Sequence, residues 1–171
     1  MSSEVGGPVG AVLAGGAGRR MGGTKPATVL AGRPLISYPL AALRAVLSPV
    51  AVVAKRDSPL PQVGYGIELW HEPDQPRHPL AGIVEALRRA DGRAVIVLAC
   101  DLPLVTPDVV RALAAAPPAV AVLARAGDEV QPLCARYDHA ALALLEDFDP
   151  AVRLQEAIAV LDPAFADVPA Q

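Results

Sequence analysis

The chain is poor in several things that would have pointed elsewhere. Aromatic residues make up 4% of its 171 positions, and only Lys25 and Lys55 are lysines among 15 basic residues. With a net charge of −3 and arginines scattered along the chain, the sequence has no basic, aromatic-laced stretch of the kind that holds nucleic acid. The two cysteines, Cys100 and Cys134, sit in apolar surroundings (VLAC and PLCA) with no Cys-x-x-Cys and no histidine cluster, which excludes a zinc site and reads as buried, reduced thiols. No apolar run approaches the ~20 residues of a membrane span. The opening MSSEVGGP lacks the basic flank and apolar stretch of a signal peptide, so residues 1–7 read as a flexible tail and the expected location is cytoplasmic, away from membranes.

What is present is a dense alternation of apolar segments. Residues 8–171 suffice for one domain burying roughly 70% of its unfolded surface. Short valine-rich runs at 9–14, 50–54, 94–99 and 119–124 read as strands buried on both faces, and 130–137 as a further strand. Residues 34–47, 79–91 and 107–116 read as helices. In the second, Leu80, Ile83, Val84 and Leu87 follow helical spacing, with Glu85, Arg88 and Arg89 on the other side. Pro34, Pro79 and Pro107 suit first turns, whereas Pro39 predicts a kink. Two short helical stretches are expected near 138–147 and 151–160. Doubly buried strands alternating with helices predict an α/β fold of three layers, α/β/α, around a mostly parallel sheet.

The first strand runs into LAGGAGRRMGG at residues 13–23, followed by Thr24 and Lys25. As a dinucleotide fingerprint the stretch fails, because Met21 stands where the third glycine should allow helix and strand to pack. As a Walker loop it fails too. Thr24-Lys25 inverts the order in which lysine reaches the terminal phosphates and a hydroxyl holds magnesium. Five glycines are entropically expensive in a folded chain, and three cations beside them repel unless an anion binds. The loop therefore reads as backbone facing a nucleotide, with Arg20 and Lys25 on its phosphates. Asp101 ends AVIVLAC, the most apolar strand. Ligands in open α/β sheets bind at the carboxyl ends of strands, so this carboxylate suits a magnesium ion bridging phosphates. Thr106-Pro107 supplies the following helix with its own cap, so Asp101 is not needed there.

Leu13-Ala-Gly-Gly followed by Arg20-Met-Gly-Gly and Lys25 resembles the Rossmann-like nucleotidyltransferases, and within them the molybdenum cofactor guanylyltransferase (MobA) family. LAGRPLISYPL, PLAGIVEAL, VLACDLPLV and QPLCARY are similar to further family landmarks in the same order, over about residues 9–160. The resemblance implies a Mg²⁺-dependent nucleotidyltransferase that moves GMP from GTP onto molybdopterin and releases pyrophosphate. It places the nucleotide on Leu13, Ala14, Gly15, Gly16, Gly18, Arg20, Lys25, Asp74, Gly82 and Asp101. Catalysis falls to Lys25, Arg20 and Asp101, and the metal to Asp101 and Asp167. Asp74 reads equally as a solvated loop carboxylate, and Gly82 as ordinary helix packing. Transient contact with other cofactor-biosynthesis or molybdoenzyme-maturation proteins is compatible with that role.

Certain residues depart from the family pattern. The loop is one residue short before Lys25, a spacing closer to the cytidylyltransferases for the same cofactor, whereas Gly15 argues for guanine. His78 replaces the glycine before P-L-A-G, and the second strand ends in Ala54-Lys55 where an asparagine is usual. FADVPAQ stands where the family continues through an asparagine-rich segment, with Asp167 in place of its first asparagine. Guanylyl transfer, cytidylyl transfer, another MobA-like transfer and a catalytically weak nucleotide-binding homologue all stay open at this point.

Overall fold

The computed structural model describes residues 6–16 and 25–169. Nine strands and five helices follow one another as β1 (Val9–Leu13), β2 (Val29–Leu30), β3 (Arg33–Pro34), α1 (Ser37–Arg44), β4 (Val50–Ala54), β5 (Ile67–His71), α2 (Pro79–Arg89), β6 (Val95–Ala99), α3 (Pro107–Ala115), β7 (Ala121–Ala126), β8 (Glu129–Tyr137), α4 (Ala141–Leu145), α5 (Leu154–Ala159) and β9 (Ala164–Asp167) among the described residues. A 3-10 turn covers Lys25–Ala27.

The main sheet runs β5-β4-β1-β6-β8-β7-β9, with β2 and β3 forming a separate small hairpin. β1 pairs in parallel with both β4 and β6, and only β8 runs against its neighbours. The expected mostly parallel, three-layer α/β architecture is the one observed. Period-two alternation divides each central strand between two cores. Val9, Ala11, Ala51, Val53, Val95 and Val97 face α2. Val12, Val50, Val52, Ile96 and Leu98 face α1 and α3. All five residues of β6 are buried, as a strand covered by helices on both sides requires.

Where the elements differ from expectation, the reasons are local. The first helix starts at Ser37, not at residue 34, because Arg33 and Pro34 pair with β2. Pro39 is therefore the third residue of α1, where a backbone N–H has no helical acceptor to lose, and the expected kink has no cause. Four strands escaped the sequence reading, the two-residue β2 and β3 and two strands of the main sheet. Both β5 and β9 are sheet edges with half-exposed, mixed compositions, IELWH and AFAD. Arg136, on β8, reaches the end of α3 and donates to the carbonyls of Leu113, Ala114, Ala116 and Pro117. A buried guanidinium thus satisfies the helix's last acceptors at the negative end of its dipole. Burial holds its pKa below the usual arginine value. Among the described residues no helix is long and apolar enough to cross a membrane.

Candidate active site

The sheet order reverses between β1 and β6. From β1 the chain passes to β4 and β5 on one side, then returns to β6 on the other. The carboxyl ends of these two strands open a crevice at that switch point, the place where open α/β sheets bind ligands. The strand ends are tied together, since Cys100 N–H donates to Leu13 O at 3.1 Å and Ala14 N–H to Val53 O at 2.8 Å. A cleft of about 290 Å³ lies above them, lined by Leu13, Gly15, Gly16, Lys25, Gly82 and Asp101 among others. It collects six of the ten positions expected to hold nucleotide. Ala14 is buried with the α1-side core instead. Gly18 and Arg20 lie outside the described residues.

Lys25 and Asp101 meet in this cleft. The ammonium contacts the carboxylate directly, and each side chain keeps about a third of its surface exposed (33% and 37%). Lysine comes from the turn after the glycine loop and aspartate from the segment just after β6, so two distant stretches of chain converge on one point. Both groups remain open to a phosphate entering the cleft. Among the described residues no three His, Cys, Asp or Glu side chains cluster as a metal cage. A lone carboxylate at a strand end does not suit an ion needing an all-protein shell. It does suit a small hard cation carried chiefly by phosphate oxygens and water.

Asp167 does not join it. It lies at the end of β9, three strands from β6, and accepts from Arg125 Nε at 2.7 Å. That guanidinium holds its carboxyl below the usual range. The metal role expected of Asp167 therefore loses its geometric basis, because β9 is the far edge of the sheet. Asp74 is exposed and outside the cleft lining. The acidic residue of this segment that lines the cleft is Glu72, two residues earlier.

Glu72 and Lys55 are the residues that sequence reasoning missed. They follow the ends of β5 and β4, adjacent strands, and face each other at 3.2 Å with side chains only 6% and 3% exposed. Lys55 Nζ also donates to Pro73 O at 2.6 Å. Burial pushes the Glu72 carboxyl above its ordinary value, and Lys55 pulls against that shift. The carboxylate wedges between the start of the glycine loop and α2. A Cβ at Gly15 would overlap Glu72 Oε1 and come within 2.7 Å of its Cδ. A Cβ at Gly82 would lie 3.1 Å from Oε2. Both glycines thus make room for one buried carboxylate at the cleft wall. The signal was available in the apolar strand running into Lys55, but its partner lay on a strand the pattern did not reveal.

His78, which has no ligand partner at sequence spacing, is the N-cap of α2. Leu80 N–H donates to its Nδ1 at 3.2 Å, so Nε2 carries the proton and donates to Val152 O at 3.1 Å. Cys100 lines the cleft but is a buried, free thiol, pushed up to about 11 by burial and then by Asp101. It is no nucleophile.

A glycine-rich segment after the first strand, a lysine that follows it in sequence and a carboxylate across the switch point are the features of a nucleotidyltransferase. Residues 10–164 match the MobA-like NTP transferase domain, and the chain belongs to that family. It is 34% identical over 142 residues to a molybdenum cofactor guanylyltransferase of Cereibacter sphaeroides, covering 81% of this chain and 71% of that one. A second protein of that name, from Rhodobacter capsulatus, is 40% identical over 117 residues, 64% of this chain and 59% of the other. The solved structure of molybdopterin-guanine dinucleotide biosynthesis protein A from Archaeoglobus fulgidus superposes with a TM-score of 0.72 at 28% identity, covering 94% of this chain and 83% of that one.

Proposed function

We propose that the protein transfers GMP from GTP to molybdopterin and releases pyrophosphate. The observation that carries this reading is the convergence of Lys25 and Asp101 on one cleft at the β1/β6 switch point. The relatives named as guanylyltransferases supply the nucleotide and the acceptor.

In the proposed reaction an oxygen of the acceptor's terminal phosphate attacks the α-phosphorus of GTP in line. The new phosphoanhydride bond forms as the bond to the α,β-bridging oxygen breaks, and pyrophosphate leaves with that electron pair. The attacking phosphate is already ionised, so no general base is needed. Lys25, which pairs with Asp101 at the cleft, neutralises charge gathering on the α-phosphate when the nucleotide enters. Arg20, from the resemblance, takes the leaving pyrophosphate. Asp101 would hold Mg²⁺ together with the nucleotide's phosphates, and the ion supplies charge neutralisation on the transferring group. The backbone at Gly15 and Gly16 offers close approach without side chains in the way. Gly15 favours guanine, and the short spacing before Lys25 favours a cytidylyltransferase as the second reading.

Lys25→Ala and Asp101→Asn test the assignment. Each should lower molybdopterin-dependent pyrophosphate release at least 100-fold while leaving the melting temperature near that of the unaltered protein. Turnover within tenfold of normal in either variant would refute these roles.

A further inference from the structure

The start of α2 forms one wall of the nucleotide cleft, to which it gives Pro79 and Gly82. That wall has little room to move. A Cβ at Gly82 would lie 3.1 Å from Glu72 Oε2 and 3.2 Å from Leu13 Cδ2, so a shift of α2 either closes on the carboxylate or leaves it unpacked. Yet the first turn of a helix is its least constrained part, because its leading backbone N–H groups lack helical acceptors. Something outside the helix has to hold it.

His78 does so from two sides. Its Nδ1 accepts from Leu80 N–H at 3.2 Å, and its Nε2 donates to Val152 O at 3.1 Å. The ring also lies against Phe148, with centroids 5.1 Å apart. The receiving segment is closed on itself, since Asp149 Oδ1 accepts from Ala151 N–H at 2.8 Å and Asp149 O from Val152 N–H at 3.1 Å. Phe148 anchors that segment on the α2-side core. A serine or aspartate cap would satisfy the helix N–H alone and leave the wall tied at one point.

We propose that His78 is a positioning residue for nucleotide binding, strapping the start of α2 to the 148–152 turn so that the Gly82 wall stands where the donor nucleotide fits. The strap closes only with the neutral ring protonated on Nε2. The other tautomer and the imidazolium both aim an Nδ1–H at Leu80 N–H. A nucleotide that needs the wall in place binds in proportion to the fraction of molecules holding it there. The assignment rests on the proposed guanylyl transfer only in taking GTP as the ligand of this cleft.

His78→Ala removes both contacts, whereas His78→Asn keeps an acceptor for Leu80 N–H but is too short to reach Val152 O. By titration calorimetry with Mg²⁺ present, His78→Ala should bind GTP about fivefold more weakly, the equivalent of one lost cap, with His78→Asn in between. With molybdopterin as acceptor, the KM for GTP should rise by the same factor while kcat stays within about twofold. In the unaltered protein, nitrogen-15 histidine spectra should show His78 with Nε2 protonated and Nδ1 bare. Equal GTP affinity in His78→Asn and the unaltered protein, a fall in kcat at constant KM, or an Nδ1-protonated ring would overturn the strap. The asparagine variant and the ring's tautomer carry the test should His78→Ala fail to fold. Weaker GTP binding by the variants, with no pyrophosphate released by the unaltered protein, would instead overturn the transfer reaction and leave the strap standing.

Discussion

Replacing Glu72 by alanine strands the Lys55 ammonium in a site where only 3% of the side chain reaches solvent. One acceptor would remain, Pro73 O at 2.6 Å. Removing one member of a buried ion pair leaves an uncompensated charge, at a cost of about 3–5 kcal/mol. At about 2–4 °C per kcal/mol for a chain of this size, the melting temperature should fall by roughly 6–20 °C. Glu72→Gln should cost less, because burial already disfavours the carboxylate and an amide oxygen can still accept from Lys55. The glycines sharpen the test. Gly15→Ala alone drives its Cβ into the Glu72 carboxylate, whereas in the Glu72→Ala background that obstacle is gone. Urea unfolding of the two single variants and the double variant should give a coupling of about 1–3 kcal/mol, the double variant losing less than the sum. Strict additivity, or a loss below about 1 kcal/mol for Glu72→Ala, would refute the account of that pair.

Two further predictions follow from buried groups. Cys100 and Cys134 have thiols pushed up to about 11 and about 12 by burial. At pH 8 roughly one Cys100 in a thousand is the reactive thiolate, so iodoacetamide should label neither cysteine in the folded protein and both in denaturant. Fast labelling of Cys100 at pH 8, read by mass spectrometry, would contradict its environment. Arg136→Ala should cost about 1.5–3 kcal/mol, because a charged donor to the α3 carbonyls is lost. Its unfolding midpoint in urea measures this, and an unchanged midpoint would show that water caps the helix equally well.

The central frame was legible because the chain states it locally. VGAVL, VAVVA and VIVLA are apolar at nearly every position, and such runs have no place except the doubly covered middle of a parallel sheet. Once β1 and β6 are neighbours, Gly15 and Asp101 open on one crevice, and Lys25 meets Asp101 there. The edge strands were harder. IELWH buries only Trp70 fully, and AFAD buries no residue fully, so neither carries a clear period. That gap hid the Lys55–Glu72 pair, which exists only because β4 and β5 lie side by side with Ala54 opposite His71. Asp74 came instead from the resemblance, and it is an exposed loop residue two positions after the buried carboxylate. Asp167 also came from the resemblance, and its strand pairs with β7 and delivers it to Arg125.

The most direct test offers GTP, CTP, ATP and UTP in turn, with Mg²⁺ and molybdopterin, and measures pyrophosphate together with the mass of the nucleotide product. GTP should give pyrophosphate and molybdopterin-guanine dinucleotide in equal amounts, and the other three nucleotides far less. A cytosine dinucleotide formed from CTP alone would contradict the guanine assignment, and binding of GTP without any pyrophosphate would contradict the transfer itself.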